Sequence, residues 1–126
     1  MTLTDRERVL YARQLLLAEV GPAGQARLFA ARAEPASPDA DSGALALARD
    51  YLTRAGLGRH AEQASKSVPI AVPASASIEG LFEHPEHAPV ARALVGALCA
   101  VETIKTALEL GTPGPTLPPF SLSEEA

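Results

Sequence analysis

The sequence predicts a mainly α-helical fold, a small domain of about four helices with one candidate short β-strand and a disordered C-terminal tail. Three observations point there. Alanine is very abundant, aromatic residues are only 4% of the chain and Trp is absent. Such a composition builds helices readily, although a core of small side chains buries little area per residue. Apolar residues recur at helical spacing in separate stretches, each bounded by a capping residue, a Gly or a Pro. After Gly111, four prolines and a closing Ser-Glu-Glu-Ala give a composition that does not pack a core.

The first helix is expected over 5–18. Thr4-Asp5-Arg6-Glu7 has the form of a capping box, in which the Thr hydroxyl and the Glu carboxylate each satisfy a free backbone N–H. Val9 and Leu16 share one face, as do Leu10 and Leu17. Gly21-Pro22 stops this helix and starts a second over 22–32, with Pro22 suited to a first helical turn. Residues 33–43 read as a loop, since two prolines and three acids leave no strand pattern. A third helix starts at Ser42 as N-cap, carries Leu45, Ala48 and Leu52 on one stripe with Leu47 and Tyr51 beside it, and stops at Gly56. Residues 59–89 read as a partly flexible connector. Within it, 68–72 is the candidate edge strand, weakened by Pro69, and 78–82 a helical turn. The last helix is expected over 89–110 and ended by Gly111. Leu94, Leu98, Val101, Ile104 and Leu108 form its apolar stripe, and Gly96 and Ala97 allow another helix to come close. The result is one domain over 1–111 and a flexible tail over 112–126.

The size and charge limit what such a chain does. At 126 residues it builds one modest core, so a partner surface is expected. The net charge of −4, with 11 Lys and Arg that form no run, argues against a nucleic-acid partner. The single Cys99 excludes an internal disulfide and a Cys-based zinc site, and fits a reducing, cytoplasmic setting. Asp5, Arg6, Glu7 and Arg8 interrupt any apolar signal core at the N-terminus. The most apolar stretch, 90–101, is too short to cross a bilayer and runs into Glu102 and Lys105, so no membrane association is expected.

Tyr11-Ala12-Arg13-Gln14-Leu15-Leu16-Leu17, followed by Glu19-Val20-Gly21-Pro22-Ala23-Gly24-Gln25, resembles the N-terminal segment of the ThiF/MoeB/HesA family. These are bacterial relatives of ubiquitin-activating enzymes. The helix at 43–58 resembles the family helix that follows the nucleotide loop, and Val95 to Lys105 resembles a late family helix with its Val-Glu-x-x-Lys. The matches over 1–32, 43–58 and 90–111 are in family order and cover a little over half of the chain. The resemblance implies ATP-dependent adenylation of the C-terminus of a sulfur-carrier or ubiquitin-like protein. The strand and glycine-rich phosphate loop that this reaction needs are not legible between the first two matches. Gly56-Leu57-Gly58 follows a helix and reads as a helix cap. No nucleotide cofactor, metal or autonomous catalysis is therefore expected. Cys99 reads as filler on the apolar last helix.

What the resemblance still implies is a residue supplied in trans. In the family, the Arg of the Tyr-x-Arg-Gln motif reaches the ATP phosphates of a neighbouring subunit, and by position that residue is Arg13, although Leu10 stands where members often carry another Arg. Its planar, always-charged fork suits phosphate; the plainer alternative is a solvated helix residue. The remaining polar group, Glu83-His84-Pro85-Glu86-His87, reads as a solvated loop, with prolines disturbing any metal geometry and His60 remote. The expected function is thus that of a degenerate, non-catalytic ThiF/MoeB-like protein. Its expected partner is a complete adenylating subunit or a second copy of itself. The alternatives are a small helical scaffold, a decayed remnant without a selected role, and an adenylyltransferase with an unrecognised ATP site.

Overall fold

Thr4 opens the first helix. Its hydroxyl accepts the Glu7 N–H at 3.1 Å, and Glu7 Oε1 accepts the Thr4 N–H at 3.0 Å, which completes the capping box. In the computed structural model, which describes residues 3–60, 62, 66–81 and 84–110, this helix is short. The single helix expected over 5–18 is instead α1 (Asp5–Leu10), a turn at Tyr11, and α2 (Ala12–Leu15). The break lies where Tyr11 turns its ring into the body, edge-on to Phe29 at 5.1 Å.

The next helix, α3 (Gly21–Ala30), starts with Pro22 in its first turn, as expected. It ends at Ala30, short of Arg32, because Ala31 is already extended and enters β1 (Ala31–Pro35). The reading of 33–43 as loop is therefore corrected at 33–35. Strand β1 pairs in parallel with β2 (Lys66–Ile70), Ala31 opposite Lys66 and Pro35 opposite Ile70. Between them lies α4 (Ser42–Arg54), so the chain forms a β–α–β crossover, the usual way to join parallel strands. The sheet has two strands among the described residues.

Helix α4 is capped by Asp41 in place of the expected Ser42, and its buried stripe is Ala44, Ala48 and Leu52. Leu45 is only partly buried against the core, and Tyr51 is exposed. Gly56 ends α4 as expected. With φ +95°, it lets its own N–H bond to the Thr53 carbonyl at 3.0 Å and the Leu57 N–H bond to Leu52 at 2.9 Å, the double closure of a Schellman cap.

Much of the described part of the stretch read as a partly flexible connector is regular structure. It holds β2, which overlaps the candidate strand but begins earlier, then α5 (Ser75–Glu79) and a 3-10 turn at Pro85–His87. The helical turn expected over 78–82 is displaced toward Ser75, and Phe82 is outside the described residues.

Helix α6 (Ala88–Leu108) is the longest element. Its buried face is only in part the one that its large apolar residues mark. Ala91, Val95, Gly96, Ala100, Thr103, Ala107 and Leu108 are buried; of the expected stripe, Leu108 is buried and Ile104 packs against the core as expected, while Leu94, Leu98 and Val101 are exposed. The reason is the closeness of α4. A Cβ on Gly96 would stand 2.7 Å from the Ala44 carbonyl oxygen, so the contact face admits only small side chains. α6 ends at Leu108, before the expected Gly111. Glu109 takes the left-handed position at φ 58°, and the Leu110 N–H returns to the Lys105 carbonyl at 2.8 Å. Gly111 and the tail 112–126 lie outside the described residues.

One core cluster joins α4, α5, α6 and β2 around Leu52, Ile70, Ile78 and Val95. A second joins α3, β1, β2 and the end of α6 around Leu28, Val68 and Leu108. Among the described residues no helix is long and apolar enough to cross a membrane.

Candidate functional site

The place to look for nucleotide chemistry in a parallel β–α–β unit is the turn between the first strand and its helix, where free N–H groups gather an anion. Here that turn runs from Ala36 to Asp41 and contains no glycine. Its helix terminus is already filled by an acid of its own. Asp41 is buried, and its Oδ2 accepts the Ala44 N–H at 2.9 Å. Its Oδ1 accepts the Ser75 hydroxyl and, at 3.1 Å, the Arg92 Nε. Arg92 reaches on to Glu79 at 3.1 Å. Burial pushes Asp41 up, but the Ser75 hydroxyl, the Ala44 N–H and Arg92 together outweigh it and hold the carboxyl below its ordinary value. A phosphate arriving at this terminus would meet a fixed negative charge where it needs a free donor. Gly43, in the first turn of α4, is no substitute: a Cβ there would touch Arg92 at 3.3 Å and Asp41 at 3.4 Å.

A second polar cluster ties the N-terminal segment to the body. Glu7 is 2% exposed, and its Oε2 meets Arg59 Nε at 2.9 Å and His60 Nε2 at 2.9 Å. Arg59 also lies over the Tyr11 ring at 5.8 Å, and His60 packs against Phe29 with ring centroids 4.9 Å apart. The Thr4 N–H, followed by the Arg59 guanidinium, holds the Glu7 carboxyl below the usual carboxylate range despite burial. The loop that presents Arg59 and His60 is fixed by backbone bonds from Gly58 N–H to Leu28 at 3.0 Å and from His60 N–H to Phe29 at 2.8 Å. His60 is thus placed with Glu7 and Phe29, and not with the Glu83–His87 stretch. Only the capping box hinted that Glu7 turns back toward the chain's own start. The contact with residues more than fifty positions away has no local signal.

Arg13 lies on α2 with its side chain exposed. In the chain it lies between Val9 and Leu10 of α1 and Leu16 and Leu17 after α2, which are 78%, 55%, 87% and 52% exposed. The remaining expected residues stay apart from both clusters. His84 and Glu86 are exposed and 4.0 Å apart, the His84 and His87 rings are 5.6 Å apart, and Glu83 lies outside the described residues. Among the described residues no group of His, Cys, Asp and Glu could hold a metal ion. Glu102 and Lys105 form the surface pair expected, at 3.1 Å. Cys99 is half-buried, points its thiol at the Ala71 carbonyl at 3.4 Å, and is pushed up by burial and by Glu102, which suits packing and not nucleophilic attack.

No protein-family model, curated protein or solved structure matches the chain.

Proposed function

We propose that this chain is a non-catalytic relative of the ThiF/MoeB adenylating enzymes that works by docking its N-terminal segment on a complete adenylating subunit. The observation that carries this reading is the exposure of the N-terminal segment. Four large apolar side chains and the Arg13 guanidinium lie within nine residues of one another in the chain and are all left in water. Burying four such groups contributes roughly 6 kcal/mol or more before costs. Association costs on the order of 4–15 kcal/mol, so the affinity is modest unless Arg13 adds a charged contact. Arg13 would supply that contact on the partner's phosphates. The filled terminus at Asp41 is the reason for placing the nucleotide in the partner and not in this chain.

The test is co-purification of the full chain with a full-length ThiF/MoeB-like subunit from the same cell, followed by an adenylation assay. A complex at micromolar concentration is expected, and Arg13→Ala slows adenylation while leaving the circular dichroism of this chain unchanged. Leu16→Glu with Leu17→Glu abolishes the complex. Absence of a complex, or ATP–pyrophosphate exchange by the isolated chain, overturns the proposal.

A further inference from the structure

α6 carries a second apolar surface, opposite its buried face and distinct from the N-terminal one. Val90, Leu94, Leu98 and Val101 are exposed and fall on one side of the helix at intervals of four, four and three residues. Lys105 continues the same side at its C-terminal end, and Glu86 lies just before its N-terminal end, with 34% and 70% of their side chains exposed.

The order of these residues is a palindrome about a point between Val95 and Gly96. Val90 mirrors Val101, Leu94 mirrors Leu98 to within one residue, and Glu86 mirrors Lys105. We propose that this face is a self-complementary surface that docks antiparallel on a second copy of the same chain. In a two-fold pair each residue meets its mirror. Val90 then packs on the other copy's Val101, Leu94 packs near Leu98, and each end of the contact joins an acid to a lysine. A parallel pair would set Glu86 against Glu86 and Lys105 against Lys105, so charge selects the antiparallel arrangement. Lys105 already holds Glu102 at 3.1 Å, and its ammonium has further donors for a second acid. Ala93 and Ala97 beside the stripe leave room for the second helix to approach. One helix face is a small interface, so the dimer is weak, with Kd on the order of 10–100 µM.

Sedimentation velocity on the full chain, over about 1 to 500 µM, tests this. A reversible monomer–dimer equilibrium is expected. Leu94→Glu shifts it to monomer at every concentration, while Val9→Glu, on the other apolar surface, leaves it unchanged. Glu86→Lys alone and Lys105→Glu alone each weaken the dimer by about tenfold or more, and the double exchange restores it. The substitutions are at exposed positions except at the partly buried Lys105, and circular dichroism checks that the helices persist. A chain that stays monomeric up to the highest concentration, a dimer indifferent to Leu94→Glu, or a double exchange that fails to rescue would overturn the proposal.

Discussion

Removing the Asp41 side chain tests whether this residue is the structural reason that the β1–α4 turn is closed. Asp41→Ala deletes the α4 cap, which by itself costs about 1 kcal/mol. It also takes one partner from Arg92 and one from Ser75. Hydrogen bonds to a charged group are worth about 1.5–3 kcal/mol each. Arg92 is 30% exposed and keeps Glu79, so only part of that is lost. The expected total is about 2–3 kcal/mol. With a urea slope of roughly 1.3 kcal/mol/M for a chain of this size, the midpoint falls by about 2 M. Asp41→Asn keeps an acceptor for the Ala44 N–H but loses the charge opposite Arg92, and costs about half as much. The pH dependence separates the two effects. Because the folded carboxyl titrates below its ordinary value of 3.8, its ionic contribution is present above that value and is lost as the pH falls through the lower, folded one. The difference between wild type and Asp41→Asn should therefore be flat from pH 8 to about pH 5 and shrink below about pH 4. Urea unfolding followed by circular dichroism at several pH values measures both. An Asp41→Ala chain within about 0.5 kcal/mol of wild type, or a difference that persists unchanged to pH 3, would refute the assignment.

Four further outcomes follow from the packing described above. Gly56→Ala should cost about 2–4 kcal/mol in urea unfolding: φ is +95°, and the added Cβ would stand 2.7 Å from both Gln25 and Phe29. Gly58→Ala, with only the Ala31 carbonyl at 3.6 Å, should cost about 1 kcal/mol from backbone strain alone. Gly96→Ala should destabilise by about 1–2 kcal/mol, since the clash with Ala44 at 2.7 Å exceeds the gain in helix propensity; equal or higher stability would contradict the α4–α6 contact. Glu7→Gln should speed amide exchange in α1 while leaving α6 unchanged, because Glu7 is the ionic tie to Arg59 and His60, and unchanged α1 protection would contradict that role.

Local chemistry was readable from the sequence, and distant chemistry was not. The capping box at Thr4, the Pro22 start of α3, the Gly56 stop and the Glu102–Lys105 pair each involve residues within a few positions of one another. Strand β1 had no such signal. Ala31-Arg32-Ala33-Glu34-Pro35 holds no β-branched residue and is a strand because Lys66–Ile70 offers it a ladder. The face of α6 was misjudged for a related reason. A rule that buries the largest side chains fails where two backbones come close, because alanines and Gly96 then fill the gap and Leu94 and Leu98 turn outward. The tie of Glu7 to His60 spans most of the first half of the chain, so only the folded backbone brings it together.

The prolines in the two strands also bear on solubility. A ribbon of two parallel strands has an outer margin on each side, and an unpaired margin is a template for foreign chains. Pro35 ends β1 and Pro69 lies within β2, each removing an amide donor from a strand that needs one to recruit a neighbour. A chain with Val at both positions should fold to the same topology yet form cross-β aggregates more readily, so these residues guard the protein against its own stickiness.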